Sequence, residues 1–272
     1  DLLDLLDLLD LLDLPAPCPR SLQSDGERTT SDAYRRRRRD VMGPKPLPLV
    51  HLVREPEQPP APGQKPPLLL LLHGVGSHER DLFTLAPRLD PRFLILSLRA
   101  PNELGPDSYA WFTFTPTPLV NRINGEQAEA SRQRLLRFIP EAVAAYGADP
   151  TRVYLMGFSQ GAIMSASVAL TQPNLVAGAV LMSGRILPEI QPLIAPAEAL
   201  RGLPILVVHG IRDMVLPIAH GRATRDTLAA LPVALTYREY EMPHAVTDAS
   251  LADIAAWLTA RLERVMDLRR DG

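Results

Sequence analysis

From residue 47 onward the chain alternates short, solid apolar runs with longer stretches in which apolar residues recur at helical spacing. Leu47–Val53 reads as an edge strand. After a Pro-rich connection over residues 55–67, Leu68–Leu72 is unbroken leucine, as expected of a strand buried on both faces. Phe93–Leu98 and Val153–Met156 repeat the pattern. Between them Glu126–Tyr146 has helical spacing, and Gly147 is placed to end it as a left-handed cap. Ala162–Leu170 is an apolar helix. Ala179–Met182 and Ile205–Val208 are further short buried strands, Ala234–Tyr240 a last strand, and Leu251–Met266 a closing amphipathic helix. Strand, helix and strand in this order imply an α/β fold with a mostly parallel central sheet and helices on both faces. In such sheets ligands bind beyond the carboxyl ends of the strands.

The stretch before residue 42 has a different character. Residues 1–14 repeat Asp-Leu-Leu strictly, so successive acids step about 60° around a helix and leave no clean apolar face. A Pro- and Ser-rich segment follows, then the run Arg35–Arg39. This is a disordered composition, and the chain divides into an extension over 1–41 and an α/β domain over 42–272. The working protein is expected to begin near Met42. A solvated tail is the preferred reading of the arginine run. A nucleic-acid interface is not favoured, because the net charge is only -2 and no aromatics interleave the arginines. The single cysteine, Cys18, excludes an intrachain disulfide and a cysteine-built zinc site. No stretch reaches the roughly 20 apolar residues of a membrane span, and no secretory signal is evident, so a soluble, cytoplasmic protein is expected.

Chemistry gathers after the strands. Gly157-Phe158-Ser159-Gln160-Gly161 follows one strand and opens the apolar helix, the context in which G-x-S-x-G makes a tight nucleophile turn. Ser159 then sits at a helix N-terminus, where backbone N–H groups favour negative charge. A serine hydroxyl needs a base. Of the histidines that follow, His209 ends a buried strand and reads as structural, and His220 falls inside a helix that starts near Pro217. His244 follows the last strand on a loop that Pro243 keeps out of helix, and is the expected base. The acid belongs after the preceding strand, which selects Asp213. The rivals Glu241 and Asp248 fit surface salt bridges better. The loop Leu72-His73-Gly74-Val75-Gly76 follows the leucine strand. In this arrangement the oxyanion is bound by an N–H of that loop, Val75, and by the N–H after the nucleophile, Gln160. His73 is expected to fix the loop.

With these residues in hand, the chain resembles the phospholipase/carboxylesterase family of bacterial α/β-hydrolases, relatives of the acyl-protein thioesterases. The matching stretches are LLHGVGSHERDLFTLAPRL, LRAPN with YAWF, RVYLMGFSQGAIMS, LPILVVHGIRDMVLP and YEMPHAV, in order across about residue 67 to 260. The resemblance implies triad roles for Ser159, Asp213 and His244 and oxyanion donation by Val75 and Gln160. Trp111 matches the family's tryptophan near the acyl site, a substrate-binding role set against that of a core or lid aromatic. Pro243 stands where many relatives have glycine. The implied activity is hydrolysis of a small-molecule carboxylic ester of short to medium acyl length through an acyl-enzyme. No cofactor and no metal are expected, and a homodimer is compatible. Alternatives within the class are thioesterase and lysophospholipase activity. Outside it stands a non-catalytic binding protein, against which the intact triad argues.

Overall fold

The computed structural model describes residues 47–116 and 121–268. The extension over 1–41, its arginine run and Cys18 lie outside the described residues.

In chain order the elements are β1 (His51–Arg54), β2 (Leu68–Leu72), α1 (Arg80–Phe83), β3 (Leu94–Leu98), β4 (Asn102–Gly105), β5 (Ser108–Ala110), β6 (Phe114–Pro116), β7 (Asn121–Ile123), α2 (Gly125–Tyr146), β8 (Val153–Phe158), α3 (Gln160–Thr171), β9 (Gly178–Met182), α4 (Ala197–Leu200), β10 (Pro204–Gly210), α5 (Ile218–Ala229), β11 (Ala234–Tyr240) and α6 (Asp248–Leu268). Seven strands form one sheet in the order β1-β3-β2-β8-β9-β10-β11. β1 runs antiparallel to β3, and every other pairing in that sheet is parallel.

The leucines of β2 explain why the run is solid. Leu68, Leu70 and Leu72 enter one core with residues of α2, α3 and α5, while Leu69 and Leu71 enter the opposite core with residues of α1 and α6. Alternation along a strand sends neighbours to opposite faces, so a strand covered on both must be apolar throughout. Each buried leucine contributes roughly 1.5–3 kcal/mol relative to exposure. The helix expected over Glu126–Tyr146 forms as Gly125–Tyr146, with the expected cap at Gly147 and a further one before it. Asn124 caps α2 by accepting the Gln127 N–H at 3.1 Å, and Gly147 ends it at φ 64°.

The edge strand is shorter than its apolar pattern. Its register begins with His51 opposite Leu98, the last residue of β3. Before that point only the Arg99 N–H reaches back, to Val50 O at 2.8 Å. The hairpins β4–β5 and β6–β7 were not expected. Their strands are three or four residues long and carry no alternation for a hydrophobic pattern to register.

Candidate active site

Ser159 occupies the turn between β8 and α3 with φ 52° and ψ −116°, a conformation that costs a non-glycine residue energy and recurs at functional sites. The turn is tight because the glycines on either side permit it. A Cβ on Gly161 would stand 1.8 Å from Leu72 O, and one on Gly157 would stand 2.1 Å from Gly161 O. The Ser159 N–H donates to Met182 O at 2.9 Å, which pins the turn to β9. The serine therefore sits at the carboxyl edge of the sheet, beside the strand end where α3 begins.

Two strand ends away, Asp213 lies on the loop after β10. One carboxylate oxygen, Oδ1, accepts the N–H groups of Val215 at 2.9 Å and Leu216 at 2.8 Å. The other, Oδ2, accepts from His244 Nδ1 at 2.7 Å. Because the carboxylate only accepts, the imidazole proton lies on Nδ1 and Nε2 keeps a free lone pair. Burial pushes the Asp213 pKa up, but the hydrogen bond and charge of His244 and the Leu216 N–H outweigh it and hold the acid below its ordinary value. The His244 ring packs against Phe158, the residue before Ser159, with centroids 4.8 Å apart. Among the described residues no hydrogen bond joins Ser159 Oγ to His244. Such bonds often tighten only with substrate bound.

The rivals for the acid are on the surface. Glu241 pairs with Arg212 at 3.5 Å and is 73% exposed, while Asp248 pairs with Arg88 and is 92% exposed. His209 is structural, as expected, but stands closer to the acid than its sequence position suggests. It is fully buried, its Nε2 donates to Leu216 O at 2.7 Å, and the same nitrogen lies 3.5 Å from Asp213 Oδ2. His220 belongs to the first turn of α5, nearer the acid loop than a mid-helix residue would be: its pKa is lowered by burial, then by Arg185 and His209, against an opposing influence of Asp213.

A chain of hydrogen bonds joins the two segments expected to hold an oxyanion. His73 Nδ1 donates to Gly74 O at 2.6 Å, and its Nε2 accepts the Ala100 N–H at 3.0 Å. Trp111 Nε1 donates to His73 O at 3.0 Å. The Trp111 N–H donates in turn to Gln160 Oε1 at 3.0 Å, and Gln160 Nε2 donates to Phe112 O at 2.7 Å. His73 thus fixes the loop, as expected. Trp111 is fully buried. It ties the His73 loop to Gln160 from within the core. In the loop itself the Gly76 N–H is taken by Tyr109 O at 2.9 Å and the Ser77 N–H by Gly74 O at 3.4 Å. Gln160 opens α3, where a first-turn N–H has no carbonyl a turn behind it. The part played by the Gln160 side chain, the place of His209 and a cation at Arg185 were not read from the sequence.

Among the described residues no group of three or more His, Cys, Asp or Glu could hold a metal ion, and no helix is long and apolar enough to cross a membrane.

A mostly parallel sheet covered on both faces, with a strained serine and an Asp–His pair at its strand ends, has the architecture of an α/β hydrolase. The chain belongs to the phospholipase/carboxylesterase family, whose pattern matches residues 53–262, and it is a hydrolase. It is 26% identical over 204 residues to Esterase YpfH of Escherichia coli (strain K12), covering 72% of this chain and 82% of that protein. It is 29% identical over 147 residues to Acyl-protein thioesterase 1 of Gibberella zeae, covering 53% of this chain and 62% of the thioesterase. The solved carboxylesterase of Bacillus cereus shares the fold with a TM-score of 0.67, at 23% identity, over 78% of this chain and 94% of that one.

Proposed function

We propose that this protein hydrolyses carboxylic esters of short to medium acyl length through an acyl-enzyme, with Ser159 as nucleophile, His244 as base and Asp213 as acid. The observation that carries the reading is the 2.7 Å bond from His244 Nδ1 to Asp213 Oδ2, at the same sheet edge as the strained Ser159 turn. In the first half-reaction Ser159 Oγ attacks the acyl carbon and its proton passes to His244 Nε2. The carbonyl oxygen becomes an oxyanion facing the N–H groups of Val75 and Gln160. The C–O bond to the alcohol then breaks, and His244 returns the proton to the departing oxygen. In the second, water gives its proton to His244 and attacks the acyl-serine, and the acid leaves as Ser159 recovers its proton. Asp213 holds the tautomer and stabilises the imidazolium throughout.

Rapid-mixing kinetics with a chromogenic aryl ester test this reading. An acyl-enzyme that forms faster than it hydrolyses releases a burst of phenol approaching one per chain before the steady rate. A matched series of oxygen esters and thioesters graded by acyl length defines the preferred substrate. Absence of turnover across the whole series contradicts the reading.

A further inference from the structure

The mechanism above leaves a cation near the carboxyl edge of the sheet unused. Arg185 follows β9, the strand between the one that carries Ser159 and the one that leads to Asp213. Met182, at the end of β9, stands opposite Phe158 on one side and Val208 on the other. The segment after it is clamped to both neighbours: Met182 O accepts the Ser159 N–H at 2.9 Å, and the Ser183 N–H donates to Val208 O at 2.8 Å. Ser183 adopts φ 48°, a strained value for a non-glycine residue, and its buried hydroxyl has no partner. Gly184 lies against the first turn of α3, where a Cβ on it would be 2.5 Å from the Ala162 Cβ. The strained turn and the close approach deliver residue 185 to the carboxyl edge of the sheet, between the nucleophile and acid loops.

The side chain there is partly buried, and among the described residues its guanidinium makes no hydrogen bond and no ion pair. Burial lowers its pKa, with the charge of Glu189 opposing, and Arg185 in turn lowers the pKa of His220 on α5. A partly buried guanidinium without a carboxylate partner is open to one, and a planar donor of that shape matches carboxylate and phosphate oxygens. We propose that Arg185 is a substrate-binding residue that receives an anionic oxygen group, carboxylate or phosphate, carried by the ester, so that the enzyme prefers anionic esters over neutral ones of the same length. The inference rests on the ester-hydrolase reading and adds to it a substrate class.

The test is a ratio of kcat/KM values measured in two arms. One arm compares an aryl hemiadipate with the aryl hexanoate, so the charge is at the far end of the acyl chain. The other compares the hexanoyl ester of glycolate with ethyl hexanoate, so the charge is on the alcohol side. The wild type is expected to favour the anionic member by about ten-fold or more in at least one arm, mainly through KM. Added salt reduces that preference. In Arg185→Gln the ratio falls to about one, and in Arg185→Lys, which keeps the charge and loses the fork, part of the preference survives. Equal kcat/KM values within both arms, or a ratio unchanged in Arg185→Gln and Arg185→Lys, overturns the inference while leaving ester hydrolysis standing. Failure of the wild type to turn over any of the esters overturns the ester reading and this inference with it.

Discussion

Two histidines share one oxygen of Asp213: His244 Nδ1 lies 2.7 Å from Oδ2, and His209 Nε2 lies 3.5 Å from the same atom. His209 donates to Leu216 O at 2.7 Å, and the Leu216 N–H returns to Asp213 Oδ1 at 2.8 Å. The imidazole of His209 therefore braces the loop that aims the carboxylate, without touching a reacting atom. On the proposed mechanism it is a positioning residue. His209→Leu removes the brace and is expected to lower kcat by about ten-fold or more with KM little changed, whereas His209→Gln keeps a donor and recovers part of the loss. A His209→Leu enzyme with unchanged kcat would remove this role from the account.

Asp213→Asn is expected to cut kcat by several orders of magnitude. The amide can present an N–H to His244 and hold the wrong tautomer, while the volume of the site is preserved. Glu241→Gln is the control. Its carboxylate faces solvent beside Arg212, and exposed pairs of this kind contribute about 0–1 kcal/mol. Steady-state kinetics on the two purified variants decide the matter. A greater loss from Glu241→Gln means that the acid has been misassigned.

The nucleophile turn depends on the absence of side chains beside it. In Gly161→Ala the added carbon would meet Leu72 O at 1.8 Å, and backbone on both sides would have to move. The expected outcome is a melting temperature lower by many degrees, or no folded protein, because overpacking a close backbone approach costs several kcal/mol more than a surface change. Circular dichroism melting checks it. A Gly161→Ala protein that melts with the wild type contradicts the close approach of α3 to β2.

Acid is expected to destabilise the fold in two stages of the same sign. Burial holds the pKa values of His51, His73 and His209 below the ordinary 6.5. The unfolded chain therefore binds protons first as pH falls through 6.5, and stability declines from there. Against burial, which acts the other way, Arg99 holds Glu79 low, Arg92 holds Asp90 low and His244 holds Asp213 low. Their contribution is present above the ordinary carboxylate values and is lost as pH falls through the lowered ones. Melting followed from about pH 8 to about pH 4 should show the decline begin near pH 6.5. His51, bonded to Leu49 O at 2.8 Å and to the Tyr146 hydroxyl at 2.7 Å, is remote from the triad, so His51→Gln should blunt the first stage. A melting temperature that stays flat until about pH 4.5 contradicts the histidine contribution.

Much of this architecture was legible because it rests on local pattern. A strand covered on both faces must be apolar throughout, so Leu68–Leu72 could be placed from its leucines alone, and Gly147 could end a helix by its own chemistry. Position relative to the strand ends favoured Asp213 over Glu241 as the expected acid, and His244 over His209 as the expected base. The unread parts depend on contacts between distant segments. The N–H groups of Trp111 meet His73 O and Gln160 Oε1, partners 38 and 49 positions away, and no local pattern announces those bonds. Arg185 comes to lie between the Ser159 and Asp213 segments only when β9 is inserted between β8 and β10, and no periodicity in the sequence states that order. Leu47–Val50 continue an apolar pattern past the last residue of β3 available to pair with them.

The assignment of Ser159 as nucleophile is tested most directly by covalent labelling. The wild-type chain is treated with a fluorophosphonate, digested, and the modified peptide located by mass spectrometry, beside Ser159→Ala treated identically. The nucleophile is expected to take one phosphonyl group per chain, on Ser159, with ester turnover lost in step. Ser159→Ala is expected to take none and to turn over esters several orders of magnitude more slowly at an unchanged melting temperature. Labelling at another serine, or an Ala variant that keeps more than about a hundredth of the wild-type rate, would contradict the account at its centre.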